Sequence, residues 1–282
     1  MNKKDLDPTL SPAHAFGVQL RRSRESKGLT QAQLGKLLGI TGTYVGCFER
    51  ASRTPHIDTV TRADEVLETG GTLALLHWNI RHSALFEGFP EFAEREAEAT
   101  ELRLFEIGIV PGLLQTPEYA QTEVAGLVAR GTISTEQAAE RLSFRLARQT
   151  VITRQQPPVV HVVMDESALH WQLGGPSVMV PQLRHLEELA ELPHVIIQVA
   201  PFTLGARRPF HSAVTLLTLP DHSRIGYGET TKRGYLERDL LTVQQWSRDY
   251  DRLQVDAPSV ADSVAMIRAV RKELERRPLS AT

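Results

Sequence analysis

Thr30-Gln-Ala-Gln-Leu-Gly-Lys-Leu-Leu-Gly-Ile-Thr-Gly-Thr-Tyr-Val-Gly-Cys-Phe-Glu-Arg50 decides the fold of the N-terminal region. Thr30 followed three residues later by Gln33 is a capping box, which satisfies orphan backbone donors at a helix start. Leu34, Leu37 and Leu38 recur at helical spacing, and Gly39 sits where a left-handed glycine closes a helix. After a Gly-Ile break, Thr41 stands at the cap of a second helix whose apolar positions, Val45 and Phe48, are three apart and face the first. Two short helices crossing at a tight glycine turn make a helix-turn-helix, the arrangement that lays its second helix in a DNA groove.

Flanking residues extend this pair into a compact all-α domain. Phe16 and Leu20 form the inner face of a helix expected over about Ala15–Lys27, closed by Gly28. Thr54 and Pro55 suit the cap and first position of a fourth helix carrying Val60, Ala63, Val66 and Leu67. Gly70-Gly71 breaks it, and Leu73–Ile80 supplies a fifth helix. The expected domains are a disordered arm over 1–13, a helix-turn-helix DNA-binding domain over 14–82, a regulatory or partner-binding domain over 83–276 and a tail over 277–282.

Composition fits two folded domains. The 282 residues are 41% hydrophobic, enough for real cores. A single cysteine excludes an internal disulfide framework, and without an N-terminal apolar signal the expected location is the reducing cytoplasm, in association with the nucleoid. No run approaches the ~18 apolar residues of a membrane span. The net charge of −2 is unevenly spread. Between His14 and His56, Arg21, Arg22, Arg24, Lys27, Lys36, Arg50 and Arg53 outnumber Glu25 and Glu49, whereas Glu87, Glu91, Glu94, Glu96, Glu98, Glu101 and Glu106 crowd the next segment. A basic module on an acidic body is the footprint of local phosphate binding.

The second domain reads as α+β or α/β, a small mixed sheet flanked by helices. Residues 90–106 read as a Glu-rich helix, Ile107–Leu114 as too broken by glycine and proline for a long helix, and Val110–Gln115 as a packed loop wedging apolar side chains inward, with partner docking as the alternative. Helices are expected over Pro117–Ala129 and Ser134–Thr153, the latter with a Ser134…Gln137 capping box. Val159–Met164, Val195–Ala200, Ala213–Leu219 and Ile225–Gly228 are β-branched runs bounded by turn formers, hence strands. A helix with Leu183, Leu186 and Leu189 links the first two as in a β-α-β unit. Two amphipathic helices, about Asp239–Leu253 and Ser259–Arg276, close the chain.

The recognition helix offers Thr41, Thr43, Tyr44 and Cys47 away from Val45 and Phe48. Hydroxyls serve phosphates or base edges, and a threonine methyl meets that of thymine. The face lacks the Arg, Asn or Gln of strong bidentate readout, and Arg50 and Arg53 at its far end suit backbone phosphates, as does Arg21. On this reading Thr43→Ala changes sequence preference and Arg53→Ala weakens all sequences alike. One recognition helix makes few base contacts, so a homodimer on two half-sites of double-stranded DNA is expected.

Gly17-x-x-Leu-Arg-x-x-Arg24-x-x-x-Gly28-Leu-Thr-Gln31-x-x-Leu-x-x-x-Leu-Gly39, with Phe48-Glu49-x-x-x-Arg53-x-Pro55, closely resembles the phage-repressor-like (XRE-type) DNA-binding domains. The resemblance implies an Arg24–Glu49 ion pair bracing the recognition helix, Gln31 on the phosphate backbone, and Gly42, Thr43 and Cys47 facing bases. Ser23 replaces the usual core leucine, and Ala51 the usual turn glycine. Glu96-Ala-Glu-Ala-Thr100, Ile109-Val-Pro-Gly-Leu-Leu-Gln-Thr-Pro-Glu-Tyr-Ala120, Met164-Asp-Glu-Ser-Ala-Leu169, Gln182-Leu-x-x-Leu-x-Glu-Leu-Ala190 and His194-Val-Ile-Ile-Gln-Val-Ala-Pro-Phe202 resemble a C-terminal domain of unknown function found in actinomycete regulators of the WhiJ-like, antitoxin-like kind. It implies a transcriptional regulator whose second domain receives a signal or a small protein encoded nearby. The alternative is an antitoxin-like protein that mainly sequesters that partner.

Enzymatic chemistry finds little support. His161, Asp165, Glu166 and His170 are the best candidates for catalysis or a metal, and no His-Glu-x-x-His, cysteine cluster or phosphate loop accompanies them. A self-cleaving Ser/Lys dyad reduces to Ser223 and Lys232, with no supporting pattern. The reading is no enzyme, no metal and no cofactor. Cys47 reads as a lone, inert cysteine, with oxidation sensing on the DNA-facing helix as the alternative.

Overall fold

The computed structural model describes residues 7–8, 12–82, 88–230 and 234–276. Most of the expected arm and the whole expected tail lie outside the described residues. The chain divides into two compact units, with the break at residue 84.

The first unit holds α1 (Pro12–Ser26), α2 (Gln31–Leu38), α3 (Gly42–Glu49), α4 (Ile57–Leu67) and α5 (Thr72–His82). Helix α1 starts at Pro12, within the segment expected to be a disordered arm, because proline suits a first turn that has no donors to lose. The capping box of α2 is formed, and Gly39 closes the helix at φ 74°. Helix α4 is capped by His56, whose side chain accepts from Asp58 N, so the helix begins two residues later than the Thr54-Pro55 pair indicates. Phe16, Leu20, Leu34, Val45, Phe48, Val60, Leu67 and Leu73 form one core. Full burial of side chains such as Leu34 and Val45 stabilises by about 1.5–3 kcal/mol each.

The second unit opens with α6 (Phe89–Glu98) and β1 (Glu101–Glu106). The Glu-rich segment is therefore a helix and then a strand, not one helix. Leu102 and Leu104 alternate with charged neighbours, a period of two that the run of glutamates conceals. A 3-10 turn at Gly112–Leu114 leads into α7 (Pro117–Ala129), α8 (Thr135–Arg148), α9 (Thr150–Thr153) and β2 (Val159–Asp165). Then follow α10 (Ser167–His170), α11 (Pro176–Leu189), β3 (Val195–Ala200), a 3-10 segment at Phe202–Arg207, β4 (Val214–Thr218), β5 (Arg224–Glu229), β6 (Gly234–Glu237), α12 (Leu240–Asp256) and α13 (Val260–Arg276).

The strands form one mixed sheet in the order β3-β2-β1-β4-β5-β6. β1, β2 and β3 are parallel and β4, β5 and β6 antiparallel. Leu102, Leu104, Val160, Val162, Ile197 and Tyr227 pack one face against α6, α11 and α13. Phe105, Val163 and Leu216 pack the other against Val243, Tyr250 and Leu253 of α12. The Val110–Gln115 loop is packed as expected, with Val110, Leu113, Leu114 and Gln115 buried.

Candidate nucleic-acid interface

Helix α3 is held against α2 by the absence of side chains at the crossing. A Cβ on Gly35 would lie 2.8 Å from the backbone at Gly42, Ile40 and Thr41. A Cβ on Gly42 would lie 2.8 Å from Ala32 Cα. Gly42 therefore faces α2, not the bases expected from the resemblance, because only a residue without Cβ permits this backbone approach. Gly46 is also turned inward, its Cβ direction meeting Arg50 Nη1 at 3.0 Å and Gln31 Oε1 at 3.1 Å.

Glu49, at the end of α3, is fully buried and ties three elements together. Its Oε1 accepts from Arg24 Nε at 2.5 Å, and its Oε2 accepts from Arg24 Nη2 at 3.1 Å and Gln31 Nε2 at 2.8 Å. The hydrogen bond to Glu49 raises the already high pKa of Arg24. Arg21 Nε stands 3.6 Å from the same carboxylate. Arg21 and Gln31, both expected on DNA phosphates, are thus engaged with Glu49, since a buried carboxylate draws every donor within reach. Arg24 also donates to Leu29 O at 2.7 Å, which fixes the start of the helix pair relative to α1.

The outer face of α3 is left open. Thr41 is the N-cap by conformation, but its side chain makes no cap hydrogen bond. Thr41, Thr43, Tyr44 and Arg50 are exposed, and Cys47 is half-buried. Arg50 Nη2 lies 3.8 Å from Cys47 Sγ. Arg53, in the loop after α3, places its guanidinium carbon 5.3 Å from the Tyr44 ring centroid. The face combines hydroxyls, one aromatic ring and two terminal guanidinium groups, a set suited to phosphates and base edges.

Three supports escaped the sequence. Gly35 makes the close crossing, and Arg62 Nε donates to Leu37 O at 2.8 Å, holding the end of α2. Buried Asp64 accepts from Leu73 N at 2.9 Å and Ala74 N at 2.7 Å, satisfying the start of α5 from the side of α4. Its signal is an acid on the apolar stripe between Val60 and Leu67. Ala51 takes φ 54°, the left-handed conformation that explains why glycine suits that turn.

Residues 15–76 match the model for a helix-turn-helix domain. Residues 89–269, most of the chain, match the domain of unknown function DUF5753. The chain belongs to that family. No curated protein matches it, and no solved structure does.

In the DUF5753 domain the residues weighed for catalysis bond to their neighbours. His161 Nε2 lies 3.0 Å from Gln198 Oε1, and burial holds its pKa below the ordinary value. Asp165 pairs with Arg208 and accepts from Ser167 N at 3.0 Å. Glu166 accepts from Phe202 N at 2.7 Å and lies 3.5 Å from His170. Ser223 donates to Asp221 at 2.6 Å, and Lys232 lies outside the described residues. Among the described residues no three His, Cys, Asp or Glu are grouped to hold a metal, and no helix is long and apolar enough to cross a membrane. A polar cluster gathers under α8: Arg145 pairs with Glu123, Arg148 with buried Glu96, and Tyr227 donates to Glu229 at 2.9 Å. Burial, reinforced by Glu229 and Glu123, pushes the Glu106 carboxyl up to about 8.

Proposed function

We propose that this chain is a sequence-specific, XRE-type transcriptional regulator of the actinomycete, WhiJ-like kind. It works in the cytoplasm as a homodimer, and its DUF5753 domain receives a small protein or another signal. The observation that carries the reading is the outer face of α3. A short helix is braced from behind by buried Glu49, while Thr41, Thr43 and Tyr44 stand exposed and Arg50 and Arg53 flank its far end. Two copies on half-sites roughly 34 Å apart supply the contacts that one such helix lacks. Genomic mapping of bound sites, followed by footprinting at moderate salt, tests this. A defined site with steep salt dependence is expected, and equal binding to random DNA overturns the reading.

The antitoxin-like reading, with partner capture foremost, draws support from two exposed aromatics of the DUF5753 domain. Trp171 is 62% exposed and Phe202 59%, and His170 stacks on Phe202 at 6.1 Å. Exposed aromatics of this size serve as interface anchors. Native mass spectrometry of the full chain purified from its native extract decides: a stoichiometric complex with a small protein, lost in Trp171→Ala, supports capture, and recovery of the chain without any such protein refutes it.

A further inference from the structure

Tyr44 is the one large side chain on the open face of α3. Gly42 and Gly46 contribute none, and Thr41, Thr43 and Cys47 are small. The ring is 44% exposed, yet it is not left to swing. Phe48, one turn further along, meets it at 6.4 Å between centroids with the planes tilted by 41°. Arg53 comes back from the loop to stand 5.3 Å from the ring centroid. A guanidinium at this distance from an aromatic face gains from the ring quadrupole. The ring is held between one buried aromatic and one cation and stays partly open to solvent.

Arg53 thereby differs from a simple phosphate clamp. Arg50, by contrast, lies toward Cys47. We propose that Tyr44 carries the base discrimination of this helix, its phenol O–H and ring edge reading a major-groove acceptor and the adjoining thymine methyl, and that Arg53 is a positioning residue that acts through it. The proposal rests on the reading of α3 as a DNA-recognition helix. It revises the expectation that Arg53 serves all sequences alike. The groove chemistry is suitable, because a hydroxyl meets the exposed acceptors of guanine, adenine or thymine while a ring edge packs on the C5-methyl group.

The test is selection from a randomised duplex library with the full chain, followed by titration of the best site and of variants changed at single base pairs. Wild type, Tyr44→Ala, Tyr44→Phe, Arg53→Ala and Arg53→Lys are compared, with circular dichroism confirming that each is folded. Tyr44→Ala is expected to flatten preference at one or two adjacent base pairs by about fivefold or more. Arg53→Ala flattens it at the same positions. Arg53→Lys restores the salt dependence of binding but not the preference, since an ammonium keeps the positive charge and loses the planar guanidinium that stands over the ring. The proposal is overturned if Tyr44→Ala keeps the wild-type preference, or if Arg53→Ala weakens every sequence equally. A wild-type chain with no preference for any sequence would instead refute the regulator reading itself, so the two failures are distinct.

Discussion

Glu49→Ala tests the brace behind the recognition helix. The carboxylate is fully buried and takes two hydrogen bonds from Arg24 and one from Gln31. Its removal leaves a guanidinium, itself nearly buried, with the Leu29 carbonyl and the exposed Glu25 as remaining partners. Breaking a buried ion pair from one side costs roughly 3–5 kcal/mol, because the surviving charge stays desolvated. A unit of this size holds about 4–10 kcal/mol in all, so the variant loses a third or more of its stability. Glu49→Gln keeps the volume and one acceptor and costs roughly 1.5–3 kcal/mol. The apolar pair Arg24→Met with Glu49→Leu recovers most of the loss, as it buries no charge. Peptide-resolved hydrogen exchange on the full chain reads the opening free energy of residues 12–82 apart from the DUF5753 domain. The reasoning is refuted if Glu49→Ala stays within about 1 kcal/mol of wild type, or if the apolar pair is no more stable than Glu49→Ala.

The two glycines of α3 separate by position. Gly42→Ala, with its new Cβ against the Ala32 backbone, is expected to destabilise the first unit by roughly 1–3 kcal/mol and weaken binding to all DNA. Gly46→Ala brings a Cβ to 3.0 Å from Arg50 Nη1 and 3.1 Å from Gln31 Oε1, whose amide is tied to Glu49, so its gain in helix propensity, up to about 1 kcal/mol, is expected to be partly cancelled in thermal melts. In the DUF5753 domain, Glu106 has a folded pKa raised from 4.5 to about 8. Between those values the folded state holds a proton that the unfolded state has released, so stability falls as pH rises, with a slope approaching about 1.4 kcal/mol per pH unit, and levels off above 8. Urea titrations from pH 5 to 8.5 should show that decline in wild type and a shallower one in Glu106→Gln. Equal slopes would disprove the assignment.

What the sequence disclosed was what local chemistry determines. The capping boxes at Thr30 and Ser134 and the glycine stop at Gly39 depend on residues a few positions apart, and all three are formed. Both closing helices and the four β-branched strands carry their own periodicity. β1 was hidden because Leu102 and Leu104 follow directly on the acidic face of α6, and only pairing with Val159–Met164 and Val214–Thr218 makes the segment extended. β6, Gly234–Glu237, has four residues and no β-branched side chain to mark it. At the interface, the inward turn of Gly42 and the engagement of Arg21 and Gln31 by Glu49 are tertiary facts. A helical wheel cannot separate a glycine that faces a groove from one that faces a neighbouring backbone.

The position of β1 also orders events during synthesis. This strand, the first of its sheet to leave the ribosome, lies in the interior with β2 on one side and β4 on the other. Its register partner for Phe105 on the second side is Val214, more than a hundred residues later, so translation at about 5–20 residues per second imposes a wait on the order of ten seconds. The helices of the first unit meet partners nearby in sequence and close without that delay. A nascent chain therefore carries a finished helix-turn-helix while β1 still lacks its neighbour on the β4 side, and chaperone demand falls on the later domain. Ribosome-bound chains stopped before Val159, the start of β2, should protect residues 12–82 from protease and leave β1 open to it.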